Sequence, residues 1–230
     1  MQKIIFLISL FFISFSVHAQ DANTLLQNVK QKIDKVNDYE ASGKMKTNVA
    51  FLKVPIANVK VYFKKPNRLK VKSEKGISFI PKGAVNLNMS GIIGDNKYTV
   101  LDAGTDKIGN TTVRIIKLLP EDDNSDIVLS TLYIDEITKL IQKAKTTTKE
   151  NGTYELEFTY GKYAEFSLPD KIIFSFNTRD YKLPKGVTFD FDDGTEQKKP
   201  KDAMKNKKGR AEITFSTYII NKGVVDSVFQ

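Results

Sequence analysis

Val59-Lys60-Val61-Tyr62-Phe63-Lys64-Lys65-Pro66-Asn67-Arg68-Leu69-Lys70-Val71-Lys72 is the stretch that decides the fold class of this chain. Val59, Val61 and Phe63 alternate with Lys60, Tyr62 and Lys64; past the Pro66-Asn67 turn, Leu69 and Val71 alternate with Lys70 and Lys72. A period of two gives each strand one apolar and one solvated face, and the turn lays the two strands antiparallel. Further strands are predicted at 77–81, 98–102, 112–119, 127–135, 140–148, 153–160, 171–177, 187–191 and 211–220, separated by turn signals such as Asn151-Gly152 and Asp193-Gly194. Ten or more strands in one domain must curl, close or split into two layers, because long flat sheets leave edges exposed. The expected class is therefore mainly β with helices, built on a strongly curved antiparallel sheet or barrel.

Ahead of the strands the pattern is helical. Leu25, Leu26, Val29, Ile33 and Val36 recur at spacings of three and four, which predicts an amphipathic helix over 21–37 with Asp21 or Asn23 as its cap. Before that helix, Lys3 precedes the apolar run from Ile4 to Val17, and Val17-His18-Ala19 ends it in small residues. This is the pattern of a cleaved signal peptide, and the run is short of the roughly 20 residues that span a bilayer. Residues 1–19 are accordingly expected to be removed on export and 20–230 to form a single domain, soluble in the periplasm and acting as a monomer. With no cysteine in the chain, there is neither a disulfide framework nor a thiol for a lipid anchor.

Cleavage would also discard His18, the only histidine. A Ser-His-Asp or Cys-His site is then impossible, and zinc loses its commonest ligands. Asp190, Asp192, Asp193 and Glu196 cluster around Gly194, but Asp193 directly follows Asp192, which breaks the calcium-loop spacing, and Asp193-Gly194 reads more simply as a hairpin turn. No Gly-x-Gly-x-x-Gly or phosphate loop is present, and neither a catalytic, a metal nor a cofactor site is assigned. The formal charge of +9 falls by one with Lys3; export makes nucleic acid a poor partner, and lysines scattered along the chain read as solubility. The lysine-crowded stretch 197–209 reads as a solvated loop.

Apolar surface is what the strands do supply. Phe51, Val61, Phe63, Val71, Phe79, Leu156, Phe158, Phe174 and Phe176 fall on one face if the alternation holds throughout. In a tightly closed barrel they fill the interior; in an open one they line a cavity for acyl chains. Between Pro81 and Asp95, Val85, Met89, Ile92 and Ile93 fit one side of a short helix, while Val85, Leu87 and Met89 equally fit a strand; Gly83, Gly91 and Gly94 bracket the segment, which reads as a lid or as a core-facing connection.

The helix, the strand Tyr39-Glu40-Ala41-Ser42-Gly43-Lys44-Met45, the Lys64-Lys65-Pro66-Asn67 hairpin, and Leu132-Tyr133-Ile134-Asp135 followed by Thr138-Lys139-Leu140-Ile141 together resemble the periplasmic lipoprotein carriers of the LolA/LolB type. The resemblance implies an unclosed antiparallel barrel whose concave face, covered by the N-terminal helix and a short lid, holds the acyl chains of a lipoprotein or lipid between an inner-membrane donor and an outer-membrane acceptor. It implies no cofactor and no bond-making step. It also implies that the basic residue before the motif proline fastens the lid. Here that residue is Lys65, a point charge in place of the family's planar arginine, and Arg68 is a second basic candidate. Two rival expectations remain: a lipid-sensing module that regulates an envelope partner, and an exported carboxylate-dependent hydrolase.

Overall fold

The computed structural model of the chain describes residues 21–49, 52–53, 56–73, 93, 97–150, 152–177 and 208–230. The signal segment, the predicted strands at 77–81 and 187–191, the Asp190–Glu196 cluster and most of the lysine-rich stretch lie outside them.

Helix α1 spans Ala22–Ile33. The Asp21 carboxylate caps its start by accepting the Thr24 N–H at 3.3 Å, a bond worth about 1 kcal/mol at such positions. Lys30 and Lys32 sit in the last turn, where the helix dipole favours cations. The helix stops at Ile33, short of Asn37, because Asp34 takes the cap position and Val36 turns back to the Ile33 carbonyl.

Among the described residues eleven strands follow: β1 (Asp38–Val49), β2 (Leu52–Lys53), β3 (Ala57–Lys64), β4 (Arg68–Ser73), β5 (Tyr98–Ile108), β6 (Thr111–Pro120), β7 (Ile127–Asp135), β8 (Leu140–Thr148), β9 (Gly152–Thr159), β10 (Lys171–Asn177) and β11 (Lys208–Ile220). They form one antiparallel sheet in the order β4-β3-β1-β11-β10-β9-β8-β7-β6-β5, with the short β2 paired to β1. Among the described residues β4 and β5 share no ladder, so the sheet is not closed. This is an unclosed, barrel-like α+β fold.

Cross-strand register carries one face through the whole sheet. Tyr39 of β1 lies opposite Phe63 of β3 and Ile220 of β11; Met45 lies opposite Ala57 and Ile213; Ile116 of β6 lies opposite Leu132 of β7. The buried stripe of α1 belongs to the same apolar cluster as these inner residues, so the helix lies on the inner face. The outer face carries the polar alternates. Its charge is uneven: β3 and β4 set Lys60, Lys64, Arg68, Lys70 and Lys72 on one side of a single hairpin. That corrects the expectation of scattered lysines, which sequence spacing alone had suggested.

Two local devices hold the ends of the chain in this sheet. Asn221 adopts a left-handed backbone, which asparagine tolerates; its side chain accepts the Asn37 N–H at 2.7 Å and donates to the Lys35 carbonyl at 2.8 Å, tying the end of β11 to the α1–β1 junction. Gly43 sits where the β1–β11 register shifts, and a methyl group there would lie 2.5 Å from the Thr214 carbonyl oxygen. Backbone atoms cannot step aside cheaply. Gly43→Ala is expected to destabilise the fold by about 1 to 3 kcal/mol, read as a lower urea midpoint at unchanged slope; an unaltered midpoint would show that the two strands separate freely here.

Candidate functional site

Val61 and Phe63 of β3 point inward beside Val71 and Leu69 of β4, and Leu156 and Phe158 of β9 point inward beside Phe174 and Ile172 of β10. Val61, Phe63, Leu156, Phe158, Phe174 and Phe176 are all buried, and Val71 packs half-buried against the same cluster. The structure therefore brings seven of the nine residues singled out by alternation onto one face, in two groups separated by β1 and β11. Phe51 and Phe79 lie outside the described residues.

Each group is organised by aromatic contacts. The Tyr39 ring stands 5.3 Å from Phe63 and 5.4 Å, edge-on, from Tyr218; Phe174 lies 5.5 Å from Tyr154 and 5.4 Å from Phe176. Such pairs contribute about 0.5 to 1.5 kcal/mol each beyond the area they bury. Gly209 makes room for the second group, because a methyl group there would come within 2.3 Å of the Phe176 ring. Burial pushes the hydroxyl pKa of Tyr39 and Tyr218 upward, so both rings are neutral linings. Tyr39, Tyr154 and Tyr218, together with Ile116, Leu118, Leu132 and Ile134, extend the face beyond the residues picked from the sequence. Their alternation is visible in the sequence; the neighbouring strands that make them matter are not.

Polar groups interrupt this lining at two places. Ser130 and Thr146, both buried, share a hydroxyl hydrogen bond of 3.1 Å across β7 and β8. Where the inner row of β6 runs out, Arg114 pairs with Asp102 of β5, whose carboxyl is held below its ordinary pKa by that bond and by the Gly104 N–H. Sequence spacing gave no sign of either.

Lys65 donates to the Asp34 carbonyl at 2.8 Å and meets the Asp34 carboxylate at 3.1 Å, joining the β3–β4 turn to the end of α1. Arg68 instead reaches the C-terminal tail: it meets Asp226 at 2.7 Å and stacks over the Phe229 ring at 4.5 Å, while Lys64 donates to the same Asp226 carboxylate at 2.7 Å. Val85, Met89 and Ile92 lie outside the described residues; Ile93 is buried in the inner cluster. Among the described residues no group of histidine, cysteine or carboxylate side chains is arranged to hold a metal, and no helix is long and apolar enough to cross a membrane.

No family model and no curated protein sequence matches the chain. Solved structures do. A domain described as an outer membrane lipoprotein-sorting protein from Vibrio parahaemolyticus superposes with a TM-score of 0.58 at 11% identity, covering 91% of this chain and 97% of that one. A LolA superfamily protein from Nitrosomonas europaea gives 0.53 at 10% identity over 89% and 97%. A DUF1329 family protein from Desulfovibrio piger gives 0.55 at 14% identity over 91% and 95%. The fold is LolA-like. At these identities the likeness concerns architecture: an open antiparallel sheet around an apolar inner face.

The tail contacts yield a pH expectation. Hydrogen bonding and charge from Lys64, then Arg68, hold the Asp226 carboxyl below its ordinary 3.8, so the clamp is intact above that pH and released as pH falls through the lowered value. The Phe229 ring resonances should move toward random-coil positions with a midpoint below 3.8, and Asp226→Asn should show the released positions at neutral pH. Unmoved resonances in that variant would mean the tail is held by other contacts.

Proposed function

We propose that this protein is a periplasmic carrier that binds the acyl chains of a lipoprotein or lipid on the inner face of its open sheet and delivers them toward the outer membrane. The observation that carries this reading is the extended apolar inner face, broken by the Ser130–Thr146 and Arg114–Asp102 pairs, of a sheet whose end strands, β4 and β5, share no ladder among the described residues. An open sheet can widen between its end strands without breaking any ladder, so chains of differing length can be admitted. Each buried methylene contributes about 0.8 kcal/mol, so a long acyl chain supplies roughly 10 kcal/mol before ordering costs. No covalent chemistry is needed. The chain reaches the periplasm through removal of residues 1–19, and the mature protein begins at Gln20. Val61, Phe63, Val71, Leu156, Phe158, Phe174 and Phe176, with Phe51 and Phe79, line the binding face, and the segment from Val85 to Ile93 acts as its lid.

Uptake of a fluorescent fatty acid by mature protein purified without detergent tests the reading directly. Phe158→Asp, which sets an unpaired charge on the inner face, should lower uptake at least tenfold in molecules that remain folded, whereas Leu101→Asp on the exposed side of β5 should leave it unchanged. Equal uptake by folded Phe158→Asp and wild type would mean that the face is a filled core.

Lys65 joins the hairpin to α1, so it bears on how the binding face opens more than on its capacity. Lys65→Leu removes a charged hydrogen bond worth about 1 to 3 kcal/mol. It should change the rate of lipid transfer to acceptor vesicles while leaving the amount bound unaltered; matching transfer rates would remove Lys65 from the release step.

A further inference from the structure

On the outer face of the wing formed by β4, β3 and β1, like charges stand directly opposite one another: Lys60 faces Lys72 and Lys64 faces Arg68 across the β3–β4 ladder. Such pairs destabilise a sheet. Lys70 lies between them, and β1 adds the exposed Lys44 and Lys46 on the same side. Among the described residues the wing's own outer face carries Asp38 and Glu40, the tail brings in Asp226 and a Gln230 oxygen that accepts from Lys70, and Glu212 of β11 lies opposite Lys46; Lys44 and Lys72 stand opposite no acidic residue in register. The other wing is built differently. There Lys143 meets Glu155 at 2.8 Å, with Glu157 opposite Lys143 and Glu155 opposite Lys145 in register. One wing is charge-balanced and the other concentrates positive charge, although both belong to the same sheet.

We infer that the outer face of β1, β3 and β4 is a docking surface for an anionic phospholipid bilayer. The choice of a bilayer rests on the carrier reading, because acyl cargo is exchanged where lipid is; the charge concentration itself does not depend on it. Chemistry favours the same occupant. Tight protein interfaces are centred on buried aromatic or arginine anchors seated in pockets, and here, among the described residues, the aromatic side chains on the face are Tyr62, flanked by Lys72 at 5.7 Å, and the half-buried Phe229 of the tail, already stacked by Arg68. Lysines are strongly hydrated point charges on flexible stems. They match a diffuse layer of lipid phosphates, and a tyrosine among them suits the headgroup zone. The inner face of the same wing carries Val61 and Phe63, so docking would set the binding face one sheet thickness from the membrane.

Co-sedimentation of the mature protein with phosphatidylcholine vesicles, with and without phosphatidylglycerol, tests this. Wild type should sediment only with the anionic vesicles, and raising salt from about 0.05 to about 0.5 M should release it. Basic residues near such a surface each contribute about fivefold to partition, so the triple variant Lys44→Gln, Lys46→Gln, Lys72→Gln should lose at least tenfold. A control triple with the same net charge on the other wing, Lys97→Gln, Lys107→Gln, Lys117→Gln, should stay within about twofold of wild type. All six side chains are exposed, and matching thermal melts verify that both triples fold. Equal losses in the two triples would assign binding to net charge and overturn the docking face, as would sedimentation with neutral vesicles or none at all. Fatty-acid uptake by the same proteins separates the two claims: uptake without vesicle binding sinks the docking face alone, and salt-sensitive vesicle binding without uptake sinks the carrier reading alone.

Discussion

The ladder between β1 and β11 is the constraint on which the rest of this structure depends. It runs from Tyr39 opposite Ile220 to Asn48 opposite Arg210, joining segments from opposite ends of the chain. Apart from β1–β3, which passes over the short β2, every other long ladder pairs strands consecutive in this order, and loop closure between such neighbours is cheap. Without the β1–β11 pairing the sheet would divide into a small β1–β3–β4 piece and a larger β5–β11 piece, neither able to cover its own apolar face. The close approach at Gly43 and the Asn221 clamp both serve this one junction.

The inner face inherits its layout from the same ladder. Because β1 lies between β3 and β11, Tyr39 can touch Phe63 on one side and Tyr218 on the other, linking residues far apart in sequence. Because β11 lies beside β10, Gly209 can leave space for the Phe176 ring. The two aromatic groups are thus products of strand order, and α1 lies against a surface assembled from both halves of the chain.

Strand order is also where sequence reasoning stops. Alternation reports which residues share a face, and it placed β7, β8 and β10 at the bounds the structure has, with α1 ending a turn early. It says nothing about which strands are neighbours, so the position of β11 between β1 and β10 could not be read from spacing. The C-terminal end of the chain thus supplies, in β11, a strand in the middle of the sheet. The same limit explains the lysines. Lys44, Lys46, Lys60 and Lys72 look dispersed along the sequence, yet register gathers them on one wing. Arg68 and Lys65 were legible as basic residues beside a turn; that one meets the C-terminal tail and the other the end of α1 depends on tertiary placement of those partners.

Opposite physical characters on the two sides of a single wing have a consequence for how such a molecule would work. Apolar burial is strong but non-directional, since it grows with area and discriminates little between chains of similar length. An apolar face alone would bind cargo without any preference for where it is released. Charge behaves differently: its reach is set by the Debye length, about 8 Å at physiological salt, and it acts only when the opposing surface is near. Placing cations on the outside of the strands whose inside carries Val61 and Phe63 would couple proximity of an anionic surface to the very part of the sheet that, among the described residues, ends in β4. The contacts of Lys64 and Arg68 with Asp226 lie on this same surface, so an anion approaching it competes with the tail for the same two cations. On the carrier reading proposed above, affinity would reside in the inner face, and sensitivity to the surroundings in the outer one.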